Sequence, residues 1–205
     1  MILILAFTVL LILTLPLLFG KGPYTAEELG IPHVISERDD DGDGTDNYTD
    51  TVISARAYIA TSPIYGSAYY AGGYPNDGKG VCTDVIWQAL LGAGIDLKSA
   101  IDTDILSFTD EYPRITKPDP NIDFRRVSNL NIYFSRNAIS LTTDKSEVDE
   151  WQAGDIVVFD GHIAICSDKR NRKGIPYIIH HSPRGAVEAD DMYLYTVIGH
   201  YRLRD

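Results

Sequence analysis

Cys82 stands where a chain would place a catalytic thiol. The run Gly78-Lys79-Gly80-Val81-Cys82-Thr83-Asp84 carries it out of a glycine-rich loop onto the first turn of an amphipathic helix. Free backbone N–H groups and the positive end of the helix dipole favour a thiolate at such a position. A nucleophilic thiol also needs a base within reach, and that base needs a third group to fix its tautomer. Histidine occurs at 33, 162, 180, 181 and 200. His162 opens a strand just after a tight turn, so it can face a cleft. His180 lies on the following strand, where side chains of neighbouring strands stand about 5 Å apart. Adjacent His181 points the other way and competes with His180 for the orienting role, whereas His33 and His200 read as structural. The expected catalytic order is Cys82, His162, His180. The other cysteine, Cys166, is either a small buried hydrophobe on a strand or the partner of Cys82 in a disulfide that would consume the nucleophile.

A second group of residues suits a hard cation. Counted from Asp39, the stretch Asp39-Asp40-Asp41-Gly42-Asp43-Gly44-Thr45-Asp46-Asn47-Tyr48-Thr49-Asp50 fits a 12-residue calcium loop. Acids fall at positions 1, 3 and 5, glycine takes the sharp turn at 6, Asn47 sits at 9 and Asp50 closes at 12. Asp39, Asp41, Asp43, Asn47 and Asp50 would offer side-chain oxygens and Thr45 its backbone carbonyl. Two departures from the EF-hand pattern are Asp46 at the usually aliphatic position 8 and the short Asp50 where a bidentate Glu is usual. The expectation is a solitary loop with a structural calcium ion, weaker than a cytosolic sensor; a solvated acidic linker is the alternative.

These residues need elements to hold them. Residues 1–20 are an almost unbroken apolar run without charge, long enough to span a bilayer as an anchor, or a signal segment that is removed. Either reading makes the rest extracytoplasmic, with membrane contact through residues 1–20 if they are retained. Residues 21–38 read as a linker broken by Gly22-Pro23 and Gly30-Ile31-Pro32. The calcium loop, 39–50, precedes a domain over 51–205. Helices are expected over 49–60, 83–93 and 96–108 and from a Ser128 cap through Arg136, with Val52, Ile53, Tyr58 and Ile59 in the core. From Trp151 the period falls to two: a strand over 155–159, a hairpin turn at Asp160-Gly161, a strand over 162–166, a basic turn at 169–173, a strand over 177–181, and one or two more over 192–203. A helical half followed by an antiparallel half makes an α+β chain.

With 205 residues, the chain is long enough for one domain with a sizeable core. Its net charge of −11 argues against nucleic acid and against docking on anionic lipid through a basic patch.

Several separated segments resemble a known superfamily. Gly154-Asp155-Ile156-Val157-Val158-Phe159, His162-Ile163-Ala164-Ile165 and Ile178-Ile179-His180 resemble the signature of NlpC-type cell-wall peptidases, and Tyr69-Tyr70-Ala71-Gly72-Gly73 resembles their segment upstream of the nucleophile. Gly73-Tyr74-Pro75, Gly80-Val81-Cys82-Thr83-Asp84, Pro118-Asp119-Pro120-Asn121-Ile122-Asp123, Arg125-Arg126-Val127, Gly161-His162-Ile163 and Gly199-His200-Tyr201-Arg202 resemble, within that superfamily, the family called domain of unknown function 1287. The resemblance runs over residues 45–205. It implies a papain-like fold, with N-terminal helices and the nucleophile at a helix start packed on an antiparallel, partly barrel-like sheet. It implies Cys82 as nucleophile, His162 as base, His180 as orienter and Tyr69 lining the site. Val81 and Thr83-Asp84 depart from the usual neighbours of the nucleophile, and residues 169–176 add a turn between the two histidines.

The activity implied is a cysteine amidase or endopeptidase on peptidoglycan stem peptides. Arg125 and Arg126 would bind a substrate carboxylate or, alternatively, form structural salt bridges. Asp84 is either an extra site group or an ordinary first-turn helix acid. From other classes come a non-catalytic wall-binding or structural module that keeps the fold, and a thiol acyl or peptidyl transferase acting on another envelope amide.

Overall fold

The computed structural model describes residues 22–205; the anchor or signal expected over 1–20 lies outside them. Among the described residues no helix is long and apolar enough to cross a membrane. Four α-helices come first: α1 (Asn47–Ala60), α2 (Cys82–Gly92), α3 (Leu97–Ser107) and α4 (Val127–Asn137). Between α1 and α2, β1 (Ile64–Tyr65) and β2 (Lys79–Gly80) form a short parallel pair. β3 (Ile139–Ser140), β4 (Ile156–Phe159), β5 (His162–Arg170), β6 (Pro176–Ser182), β7 (Gly185–Ala189) and β8 (Val197–Arg202) complete the chain. These six make one antiparallel sheet in the order β3-β8-β4-β5-β6-β7. It stays open between β3 and β7, so the partly barrel-like closure expected from the sequence is not formed.

Local chemistry explains the helix starts. Asp46 caps α1 by accepting from the backbone N–H groups of Tyr48 and Thr49, and Asp96 caps α3 by accepting from Ser99. α4 has no side-chain cap, so Ser128 does not play the part expected of it. The hairpin between β4 and β5 turns at Gly161, whose φ of 73° lies in the left-handed region that glycine tolerates best.

Strands β4 to β6 are buried on both faces, which is why Ile156-Val157-Val158-Phe159 is apolar without interruption. Ile156, Val158, Ile163, Ile165 and Ile179 meet Val52, Ala55, Val85, Ile86 and Leu90 of α1 and α2. Val157, Phe159, Ala164, Cys166 and Ile178 meet Trp151, Ile175 and Met192 on the far side. Of the residues expected inside α1, Val52 and Tyr58 are buried, but Ile53 is 52% exposed and Ile59 half-buried. Both cysteines are free thiols, which removes the disulfide alternative, and Cys166 is fully buried.

The stretch read as a linker lies against the domain instead of spacing it from something else. Tyr24 bridges Arg170 as an added strand position, and Gln152 takes the Pro32 carbonyl and the Val34 N–H. Ile31 is buried.

Glu188 on β7 gathers Arg56 from α1, Lys169 and the Ser167 hydroxyl from β5. Partial burial would raise its pKa, but these donors more than offset that and hold it at about 2, against 4.5 when unstructured. A depressed acid stabilises the fold above its unfolded pKa and loses that contribution as pH falls through the folded value. Urea unfolding should therefore show wild-type stability declining between pH 4.5 and 2. Glu188→Gln should cost about 1–3 kcal/mol at pH 7 and flatten that decline.

Candidate functional site

Cys82 is the first residue of α2, and the turn that holds it is built around Asp84. One Asp84 oxygen accepts from the Val81 N–H at 2.7 Å, closing the helix start from position N3, and the other accepts from the Trp87 indole at 2.8 Å. Arg125 completes the set as a fork, with Nε on Oδ1 at 2.8 Å and Nη2 on Oδ2 at 2.9 Å. Its Nη1 donates to the Ala68 carbonyl, and its guanidinium lies over the Tyr70 ring. Both charged side chains are 1% exposed.

This corrects the substrate-binding expectation for Arg125, whose donors are spent inside the protein. Asp84 is thereby the structural acid of the first turn. Arg126 is exposed, 3.7 Å from Asp123. Tyr69 is also exposed; its hydroxyl donates to Asp119 and accepts from Asn121.

The two histidines do come together. Strand alternation sets His162 and His180 on one face, and His162 Nε2 lies 2.8 Å from His180 Nδ1. His181 faces α1 instead, with its Nδ1 2.9 Å from the Tyr58 hydroxyl, so it is not the orienter. The chain of contacts continues past the residues found in the sequence. His180 Nε2 lies 3.3 Å from Asp191 Oδ2, and Tyr195 stacks on the His162 ring at 4.7 Å between centroids. Asp191 and Tyr195 follow the β6–β7 hairpin, so the chain folds back to bring them to His180. The turn residues Pro183-Arg184-Gly185 were the one available signal for that return.

The backbone N–H groups of Ile163, Thr83 and Cys82 lie close enough to the Cys82 sulfur to favour its thiolate form. Ile163 directly follows the proposed base on β5, where alternation turns successive side chains to opposite faces, and His162 Nδ1 is the ring nitrogen not engaged by His180. The ladder between β5 and β6 pairs Ile165 with Ile179 and Cys166 with Ile178.

Burial dominates the electrostatics. It pushes the Cys82 thiol up to about 11, against the pull of the three N–H groups. Burial, with His180 and His181 alongside, pushes His162 down to about 4. The unliganded pair is thus thiol and neutral imidazole, not a preformed ion pair. His200, the fifth histidine, is structural: it stacks on Trp151 at 3.7 Å and bonds to Asp155 and the Thr142 carbonyl.

Residues 52–203 match the family model described as Domain of unknown function (DUF1287). The chain belongs to that family. An Escherichia coli (strain K12) protein, described as the uncharacterized protein YijF, is 38% identical over 160 residues, covering 72% of this chain and 78% of that protein. No solved structure matches. All the residues of the cysteine-histidine cluster in this DUF1287 chain fall within the matched span.

A cavity of about 760 Å³ lies away from this cluster. It lies between Thr25–Ile31, the outer face of α1 and the end of β5, lined by Arg56, Gln152 and Arg170 among others.

Two measurements follow. Asp84→Asn leaves the Arg125 charge buried with half its fork, so it should lower stability by about 3–5 kcal/mol in urea unfolding. Arg126→Ala, at an exposed position, should stay within about 0.5 kcal/mol. Alkylation of Cys82 should accelerate about tenfold per pH unit through neutrality, as a thiol with a raised pKa requires. A rate already flat from pH 5 to 7 would instead mark a standing thiolate.

Proposed function

We propose that this DUF1287 chain is a cysteine amidase or endopeptidase with an NlpC-type, papain-like site, working outside the cytoplasm on peptidoglycan stem peptides. The single observation that carries the reading is the His162–His180–Asp191 chain, which begins at the residue preceding Ile163, whose backbone N–H acts on the Cys82 thiol. A base that must carry a proton in one defined tautomer needs a third group to orient it, and His180 with Asp191 behind it would serve as that group.

His162 Nδ1 takes the thiol proton as Cys82 Sγ attacks the amide carbonyl carbon. Because both groups rest neutral, proton transfer accompanies the attack, and Asp191 through His180 stabilises the imidazolium that forms. The tetrahedral oxyanion is met by backbone N–H at the start of α2, where helix geometry leaves donors unpaired. His162 then gives its proton to the departing amine, the C–N bond breaks, and water attacks the thioester to release the acid and restore the thiol. The envelope location rests on the apolar run at residues 1–20, and the stem peptide on the resemblance of the site segments to wall peptidases. With Arg125 committed to Asp84, a carboxylate-reading role falls to Arg126 or to another exposed cation.

The test is incubation of the full chain and of Cys82→Ala with purified peptidoglycan, followed by mass spectrometry of the released fragments. Fragments should appear only with Cys82, and their masses name the bond cut. Identical profiles from the two proteins would sink the hydrolase. His180→Ala should lower kcat by about 10²-fold or more while changing KM little, since it acts on the proton and not on substrate binding.

A further inference from the structure

From the loop before α1, we infer a divalent-cation site that takes calcium, independent of the chemistry at Cys82. Side-chain oxygens of Asp39, Asp41 and Asp43 all lie within 4.8 Å of one another. Two oxygens bound to one calcium ion at 2.3–2.6 Å can be at most about 5 Å apart, so this spacing suits a shared ion. Exposed acids alone would carry little weight. The deciding residue is Asp50, on the first turn of α1, which is only 6% exposed and whose Oδ2 is buried without any hydrogen-bond partner. After burial, the groups that act most strongly on its carboxyl are Asp43, Asp41 and Asp39, in that order. Asp50 therefore lies within the field of the triad. A buried carboxylate oxygen with no donor, beside three more acids, is a large cost that a cation would remove.

Among the described residues no side-chain cation pairs with Asp39, Asp41, Asp43 or Asp50. Arg38, the arginine of the loop, forks onto Asp40. The structure also revises the ligand set expected from spacing. Asn47 is committed to Asp40, accepting its backbone N–H at 2.9 Å and donating to its carboxylate at 3.0 Å, so position 9 does not offer its side chain. Asp46, anomalous at position 8 of an EF-hand loop, is explained by its work as the α1 cap. The protein ligands are then Asp39, Asp41, Asp43, Asp50 and the Thr45 carbonyl, with water completing a calcium shell of six to eight oxygens. Magnesium, which demands a tighter octahedron and holds its own waters, fits this open loop less well.

The ion would act on the fold, not on the reaction. The loop abuts the turn after α2: at Gly94 a Cβ would come within 2.8 Å of the Asp40 and Asp41 backbone. Gly94 has φ of 76°, so the turn and the close approach both need glycine. Calcium would thereby tie the segment before α1 to the first turn of α1 and to the C-terminal end of the cysteine-bearing helix.

Calorimetric melting of the full chain, freed of metal with EDTA and then given calcium chloride or magnesium chloride, tests the site. With the affinity of an extracellular calcium module, 10 mM calcium should raise the melting temperature on the order of 3–10 °C. Magnesium at the same concentration should give less than half that shift. Asp50→Asn should abolish the calcium shift and, by removing a repelled buried charge, raise the melting temperature in EDTA. Asp41→Asn, at an exposed position, should abolish the shift and leave the EDTA value unchanged or higher, which keeps the test sound if Asp50→Asn folds poorly. Cys82→Ala should retain the full calcium shift. Absence of a calcium shift in the wild type, an equal shift with magnesium, or an undiminished shift in Asp41→Asn would each overturn the site.

Discussion

The buried ion pair between Asp84 and Arg125 is the constraint on which the rest of the site depends. Two charges at 1% exposure have lost most of their hydration, a cost of several kcal/mol per ion that only dense hydrogen bonding offsets. The structure supplies it: Asp84 accepts from Val81, Trp87 and both arms of Arg125, and the remaining arm finds the Ala68 carbonyl. Each of those bonds also defines a position. Val81 fixes where the helix starts, Trp87 fixes its rotation, and Arg125 joins it to the loop before α4. Cys82 lies between Val81 and Asp84, so its direction is set by the same bonds. An apolar pair would be cheaper to bury, but would fix none of these directions.

The sheet poses a complementary constraint. Because β4 to β6 are covered on both faces, a histidine on them is desolvated whichever way it points. His162, His180 and His181 all have pKa values lowered first by burial. Such a site cannot hold a charge pair at rest at low cost, and it does not need to. In the proposed reaction a neutral base in a dry site, backed by a carboxylate two contacts away, would separate charge only as the proton moves. Asp191, the proposed far end of that chain, is a quarter exposed and keeps contact with water.

Sequence reasoning worked where one local pattern had one physical meaning. The loss of helical spacing after Trp151 located β4, β5 and β6, the Asp160-Gly161 turn paired the first two, and the glycine-to-helix transition located α2 within a residue. It worked less well where the same side chain serves two ends. A guanidinium fork fits a substrate carboxylate and an internal one equally, so Arg125 was legible as a carboxylate binder but not as the partner of Asp84, 41 residues away. β7 escaped notice because Gly185–Ala189 is half-buried and carries Glu188 inward to Arg56, which spoils its apolar alternation. Asp191 was hidden behind that missed strand. Once β7 pairs with β6, the chain must return toward His180, and only then does the acid have a place. Ile53 shows the opposite failure, an apolar residue counted into the core by composition when the face of α1 that carries it borders the large cavity.

The cysteine helix is held at two ends by different chemistry. At its start the constraint is internal, one acid and one arginine already paired and buried. At its end the constraint comes through Gly94 from a loop in which Asp39, Asp41, Asp43 and Asp50 have no basic partner among the described residues. The first end would be indifferent to solution conditions; the second, if the inferred site holds calcium, would respond to it. A helix only 11 residues long transmits little bending, so a shift of the loop at Gly94 would be resisted chiefly by the packing of Ile86, Ala89 and Leu90 against the sheet at β5 and β6. That packing is complete, with all three side chains at 0% exposure. The loop can therefore change the stability of the domain without displacing Cys82 from Ile163, and stability and chemistry are separable in this fold.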